Sequence, residues 1–68
     1  MERKKTLKEL RARNLLRQDE VAGAINVSAP TYRKWESDLS TAPFGKVCEL
    51  AEFFKVPVQD LSMTAKIN

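Results

Sequence analysis

A turn of three residues joins two segments of helical periodicity, and this junction constrains the fold more than any other feature of the chain. Asn26 is one of the few residue types besides glycine that tolerate the left-handed conformation of a tight turn. Ser28 is a preferred N-cap, and Pro30 is accepted in the first turn of a helix, where N–H groups lack intrahelical partners. We therefore predict one helix over residues 18–25 and a second over 29–37.

The apolar residues of these two predicted helices fall on one side of each. Val21, Ala22 and Ile25 share a face of the first helix, and Tyr32 and Trp35 stand three residues apart in the second. This spacing directs both aromatic rings into a core rather than onto a ligand. The other side of the second helix presents the remaining residues to solvent: Ala29, Pro30, Arg33, Lys34 and Ser37.

Capping and proline signals place the other helices. Thr6 followed by Glu9 is a capping-box pattern, which predicts a helix over about residues 7–14. A fourth helix is predicted over about 43–54. A proline after it disfavours helix at the preceding residue, so a short fifth helix is predicted over about 58–63. With no strong strand signal, the fold class is all-α, a compact bundle of five short helices.

The length allows one small domain. We expect a basic N-terminal arm over residues 1–6, a helical domain over 7–63 and a C-terminal tail over 64–68. Apolar residues make up 43% of the chain and charged residues 31%, a balance typical of a soluble globule. No apolar run is long enough to span a bilayer, so we expect a cytoplasmic protein without a membrane partner.

Several classes of site are excluded by the residue types that the chain lacks. Its one cysteine, Cys48, has no partner for an internal disulfide, and the absence of histidine removes the other usual zinc ligand. No nucleophile with an activating base can be drawn, so we expect no enzyme, no cofactor and no metal. A core of this size supplies only about 3–5 kcal/mol, which favours a dimer.

The net charge of +3 is unevenly distributed along the chain. Residues 1–17 hold seven basic and two acidic side chains, whereas residues 18–68 hold five basic and seven acidic ones. A basic front end predicts an acidic partner, with nucleic acid as the first candidate and an anionic membrane surface as the second. A merely solvated basic surface is the remaining alternative.

The order of particular residues adds a family to this pattern. The residues concerned are Leu10–Arg11, Leu16, Gln18–Ala22, Ile25, Val27–Ser28, Trp35–Glu36, Leu50–Ala51 and Val56. In this order they resemble the Cro and phage-repressor-like (Xre) helix-turn-helix family, over about residues 7–61. The resemblance implies a lambda-repressor-like fold and a sequence-specific DNA-binding transcriptional regulator, with the helix over 29–37 entering the major groove.

The same resemblance implies which side chains contact bases. The reading positions correspond to Ala29, Pro30, Thr31 and Lys34, with Arg33 and Ser37 beside them. Ala29 and Pro30 offer only apolar contact, for example with a thymine methyl group, so hydrogen-bonded readout falls on Lys34, Arg33 and Thr31. Lys34 either donates to guanine or, like Arg33, contacts phosphates only, and the sequence leaves both interpretations open.

Other matching positions imply phosphate contacts and a structural ion pair. Gln18 corresponds to a glutamine that anchors a DNA phosphate, the alternative being a simply exposed glutamine. Arg17 replaces a common cap with a cation near the same phosphate, and we expect Arg13 and Ser37 to contact the backbone as well. Arg11 and Glu36 correspond to a pair that joins the first helix to the recognition helix.

The family usually forms dimers through its last helix and the segment before it. This implies a homodimer interface made by Pro57, Val58, Leu61 and Met63, on a roughly palindromic operator of double-stranded DNA. The alternative function is a protein-interaction module, in which Ala29 and Pro30, with Leu39 nearby, bind a second regulator protein. Whether Lys4 and Lys5 reach the DNA or form a solvated end stays open.

Overall fold

The computed structural model describes residues 4–63. In this range the chain forms four α-helices and two short 3₁₀ turns, the latter at Leu39–Thr41 and Val58–Asp60. The helices are α1 (Leu7–Arg13), α2 (Gln18–Ala24), α3 (Ala29–Ser37) and α4 (Phe44–Phe54). Each predicted helix up to residue 54 is present, with ends within one residue of those expected.

Two of the helix starts are fixed by the caps that the sequence predicts. The Thr6 hydroxyl accepts from the Glu9 backbone N–H at 3.1 Å, and the Glu9 carboxylate accepts from the Thr6 N–H at 3.0 Å. At the start of α3, the Ser28 hydroxyl accepts from the Thr31 N–H at 3.3 Å, with Pro30 in the first turn. Each cap satisfies a backbone donor that has no intrahelical partner.

Left-handed residues make the tight connections between helices. Asn26 has φ 60° in the α2–α3 turn, the conformation expected of it. Leu15 adopts φ 57° between α1 and α2, and Lys55 adopts φ 60° at the end of α4. Neither of these two residue types favours positive φ, but at both positions the next backbone N–H closes the helix end, from Leu16 to Arg11 O and from Val56 to Ala51 O, as in a left-handed helix C-cap.

The predicted fifth helix is wrong. Val58–Asp60 forms a single 3₁₀ turn, after which the chain becomes extended. The segment pairs instead with the start of the chain: the Lys5 N–H donates to Asp60 O, and the Ser62 N–H donates to Lys5 O, both at 2.8 Å. Backbone groups that a helix would use are thus engaged in a parallel bridge between Lys5 and Leu61.

This bridge also bears on the predicted N-terminal arm. Lys5 is joined to the helical domain through its backbone, while the Lys4 side chain is exposed. The rest of the arm, residues 1–3, and the predicted tail over 64–68 lie outside the described residues.

One core cluster holds the helices together, and its members are buried apolar side chains. They are Leu7, Leu10, Val21, Ala22, Ile25, Tyr32, Trp35, Leu39, Val47, Leu50, Ala51, Phe54 and Leu61. Both aromatic residues of α3 are therefore internal, as their spacing predicts. Within residues 4–63, the helices are all too short or too polar to cross a membrane.

Candidate nucleic-acid interface

The side of α3 turned away from the core is open to solvent. Pro30, Arg33, Lys34 and Ser37 are exposed, whereas Ala29 and Thr31 are half-buried. The Thr31 hydroxyl oxygen also accepts a hydrogen bond from Ser28 Oγ at 2.9 Å. The face therefore offers two cations and small side chains, a combination suited to the edge of a nucleic acid.

An ion pair ties the end of α3 to α1. Arg11 Nε lies 2.6 Å from Glu36 Oε2, and Arg11 Nη2 donates to Glu36 Oε1 at 3.3 Å. A further bond from Arg11 Nη1 to Leu16 O at 3.1 Å extends the contact to the α1–α2 turn. The structure thus brings Arg11 and Glu36 together in a bidentate ion pair. This geometry fixes the relative orientation of the two side chains as well as the distance between them.

Gln18 links this ion pair to the outer face of α3. Its Nε2 donates to Glu36 Oε1 at 3.0 Å, and its Oε1 accepts from Arg33 Nε at 3.3 Å. Both polar ends of the Gln18 amide are therefore engaged inside the protein. The result is a continuous chain of bonds from α1 through α3 and α2 back to Arg33.

The surroundings of Glu36 favour its charged form. Burial opposes ionisation, but hydrogen bonds from Arg11 and Gln18 outweigh it and hold the pKa of Glu36 below its usual range. The hydrogen bond that Arg11 donates to Glu36 likewise raises the pKa of Arg11. Burial, reinforced by the carboxylate of Glu36, raises the pKa of Tyr32, whose buried hydroxyl has no hydrogen-bond partner among the described residues.

An open cavity of about 520 Å³ lies over this network, between α1, the start of α2 and the end of α3. Its lining residues are Lys8, Arg11, Leu16, Arg17, Gln18, Arg33, Glu36 and Ser37. They include four cations and one carboxylate, and that carboxylate is paired with Arg11. The cavity is consequently electropositive and fits an anionic group.

The structure gathers only some of the predicted contact residues at this cavity. Arg17, Gln18, Arg33 and Ser37 line it, whereas Ala29, Pro30, Thr31 and Lys34 lie elsewhere on α3, and Arg13 is exposed in the last turn of α1. Arg17 makes no side-chain cap; its Nε contacts Asp19 Oδ1 at 3.2 Å in an exposed pair. The predicted phosphate-contacting residues therefore do not form a single group.

Comparison with known proteins decides the family. The helix-turn-helix family model matches residues 7–61, most of the chain and all four helices. The chain belongs to the Cro/C1-type helix-turn-helix family. A curated relative is the cryptic phage CTXphi transcriptional repressor RstR of Vibrio cholerae, 32% identical over 62 residues. The match covers 91% of this chain and 56% of RstR, so the chain spans little more than half of that relative's length. No solved structure matches the chain.

Members of this family are DNA-binding transcription regulators. Sequence reasoning missed Lys8, which lies on the cavity rim one helical turn before the ion-paired Arg11. The spacing of Lys8 and Arg11 by three residues on α1 was the signal that places them on one face. Among the described residues no cluster of potential metal ligands is present.

The predicted dimer residues of this helix-turn-helix chain divide by exposure. Pro57 and Met63 are exposed and Val58 is half-buried. Leu61, by contrast, is 1% exposed and belongs to the core, because the bridge with Lys5 holds its segment against the domain. Leu61 is therefore removed from the proposed contact surface. Phe44, which the sequence did not single out, is 71% exposed.

Proposed function

We propose that the protein is a sequence-specific DNA-binding transcriptional repressor, acting in the cytoplasm as a homodimer on an operator. In this proposal α3 enters the major groove and presents Ala29, Pro30, Thr31 and Lys34 to base edges. Arg13, Arg17, Gln18 and Ser37 lie where the phosphate backbone passes. The phage repressor RstR supports the repressor assignment by similarity.

The observation that carries the proposal is the position of the electropositive cavity beside the open face of α3. A helix seated in the major groove needs groups that reach the phosphates on either side, because those contacts fix its register. The cavity supplies cations from α1, from the N-cap of α2 and from α3 at that edge. Binding should therefore weaken steeply with salt as phosphate-bound counterions return.

For the homodimer, we propose a contact through Pro57, Val58 and Met63. Pro57 and Met63 are exposed and Val58 is half-buried, so a second copy of the chain could cover the three together. Two recognition helices would then enter successive major grooves, about 34–36 Å apart. Sedimentation of the protein alone and on an operator tests this, and a monomer under both conditions would refute it.

The alternative of a protein-interaction module is weakened by one residue. It relied on an apolar front in which Leu39 stands near Ala29 and Pro30, but Leu39 is 2% exposed. Without it, the front contains only one exposed apolar side chain, Pro30. So small a patch is a poor basis for a protein interface.

Selection from a randomised duplex pool at controlled salt tests the DNA-binding function. We expect enrichment of a roughly palindromic motif, and weaker binding of the selected duplex by Lys34→Ala. Lys55→Asn is the matched control, because it removes one charge outside the cavity and asparagine tolerates the positive φ at that position. No enriched sequence at low salt would exclude the proposed function.

A further inference from the structure

Arg33 and Lys34 are adjacent and exposed on α3, but the structure gives them different surroundings. Arg33 Nε donates to Gln18 Oε1 at 3.3 Å, and its side chain lines the cavity between α1, α2 and α3. Lys34 is not part of that cavity lining. Within residues 4–63, its ammonium group has neither a hydrogen bond nor an ion pair. Successive residues of an α-helix point about 100° apart, so the side chains of Arg33 and Lys34 leave α3 in different directions.

The position of Arg33 is fixed by a chain of bonds rather than by its own rotamer preference alone. Gln18 Oε1 accepts a hydrogen bond from Arg33, and Gln18 Nε2 donates one to Glu36. Glu36 in turn accepts from Arg11 on α1. An amide side chain has two N–H donors and one carbonyl oxygen; one donor and the oxygen are already engaged inside the protein, which leaves a single N–H of Gln18 for any ligand. Its geometry is that of a group that orients Arg33.

The charge around Arg33 favours an anion. Arg11 neutralises Glu36, and Arg17 is paired with Asp19, so Arg33 and Lys8 are the lining cations that no carboxylate in the described chain compensates. A guanidinium presents several N–H donors in a plane and binds phosphate oxygens in pairs. A phosphodiester of the DNA backbone is therefore the ligand that matches this cavity.

We propose that Arg33, oriented by Gln18, contacts a backbone phosphate, and that Lys34 is the cation of α3 that reads a base. This inference rests on the proposed DNA-binding function. It assigns Arg33 to affinity and Lys34 to specificity, since phosphate contacts position a protein while base contacts select the sequence. It also makes Gln18 a positioning residue that acts on DNA through Arg33.

The first test compares Arg33→Ala and Lys34→Ala on the selected operator and on a panel of its single-base variants. Arg33→Ala should weaken binding to every duplex by the same factor and reduce the slope of log affinity against log salt by about one. Lys34→Ala should flatten the preference at one base pair, a loss of roughly 5- to 150-fold in discrimination. A base-specific change in Arg33→Ala, or an unchanged salt slope, would overturn the assignment.

The second test is a double-mutant cycle between Gln18 and Arg33. If Gln18 acts through Arg33, Gln18→Ala weakens binding in the native protein but has no further effect in the Arg33→Ala background. If the two losses multiply, Gln18 contacts the phosphate independently and the positioning role is excluded. All variants are compared well below their melting temperatures, so that a loss of folding is not counted as a loss of binding.

These outcomes separate the inference from the function on which it rests. A native protein that prefers no sequence contradicts sequence-specific DNA binding itself. A native protein that selects an operator, combined with uniform losses in Lys34→Ala and base-specific losses in Arg33→Ala, leaves that function standing and reverses the assignment of the two cations. Lys55→Asn should leave affinity, preference and salt slope unchanged in both tests.

Discussion

The two ends of α3 are held in different ways. Its N-terminal end is capped locally, with Ser28 accepting from the Thr31 N–H, and no other helix takes part in that cap. Its C-terminal end is bonded to two other helices through Glu36, which contacts Arg11 on α1 and Gln18 on α2. The cap at the N-terminal end joins residues three positions apart in the sequence. The bonds at the C-terminal end join residues that are 18 and 25 positions apart.

This difference separates stability from recognition within a single helix. The C-terminal end carries the bonds that fix the orientation of α3 in the domain, so changes there should cost folding free energy. The N-terminal end projects Pro30 into solvent and has few bonds to lose. Changes there should alter what the helix binds while leaving the domain folded.

The largest effect on stability is expected at the C-terminal end of α3, from Arg11→Ala. This change leaves the Glu36 carboxylate, with a side chain only 7% exposed, without its main partner. Breaking such a pair costs on the order of 3 kcal/mol, which in a domain of this size lowers the melting temperature by roughly 10–20 °C. Thermal unfolding followed by circular dichroism measures the shift.

Arg13→Ala is the matched control for this prediction. It removes the same charge from the same helix, but from an exposed side chain. We expect its melting temperature to stay within a few degrees of the native value. Equal melting of the two variants would mean that Arg11 and Glu36 do not stabilise the orientation of α3.

The second effect is a dependence of stability on pH. The pKa of Glu36 is lower in the folded protein than its ordinary value, so the unfolded chain binds the proton more readily. The resulting stabilisation is complete above the unfolded pKa of about 4.3 and is lost as pH falls through the lower, folded value. Glu36→Gln should therefore flatten the dependence of the melting temperature on pH as the pH falls below that unfolded value.

Asp19→Asn provides the comparison for the pH experiment. The pKa of Asp19 is also lowered, through its hydrogen bond from Arg17, but this pair is exposed to solvent. Exposed pairs are screened by water and salt, so we expect the native pH dependence to persist in Asp19→Asn. If Asp19→Asn flattens the curve and Glu36→Gln does not, the acid sensitivity does not originate at the end of α3.

Local sequence signals made the N-terminal end of α3 predictable. Ser28, Pro30 and Asn26 each act within a few residues of their own position, and α3 begins where they indicate. Leu15 shows the limit of this reasoning, because no intrinsic preference of leucine predicts φ 57°. The missing fifth helix has a similar cause: its backbone pairs with Lys5, more than fifty residues earlier, and no local pattern encodes that contact.

The candidate site was predictable as a set of residues but not as a division of roles. Matching positions paired Arg11 with Glu36, because the resemblance carries that pair. The resemblance placed Lys34 at a reading position and Arg33 beside it, but the sequence left open whether these cations contact bases or only phosphates. Their difference depends on Gln18 lying within reach of only one of them, which requires the packed arrangement of α2 on α3.

A moderate effect is expected at the start of α3, from Ser28→Ala. The change removes the acceptor for the Thr31 N–H and the bond to the Thr31 hydroxyl, at a cost of about 1 kcal/mol. The melting temperature should fall by roughly 4–8 °C, less than for Arg11→Ala. Ser37→Ala is the control, because Ser37 is an exposed serine on the same helix that makes no cap, and it should melt like the native protein. If Ser28→Ala lowered the melting temperature as much as Arg11→Ala, the contrast between the two ends would be contradicted.

The smallest effect on stability, and the clearest effect on recognition, is expected from Pro30→Gln. Proline at an exposed first-turn position contributes only about 0.4–1 kcal/mol through the unfolded state, and Pro30→Ala loses the same contribution. Glutamine adds a side chain that bonds two groups on an adenine edge, whereas alanine adds none. If this end of α3 faces the major groove, duplex selection should yield a new preference at one base pair for Pro30→Gln and not for Pro30→Ala. Identical base preferences in the two variants would place the N-terminal end of α3 away from the bases.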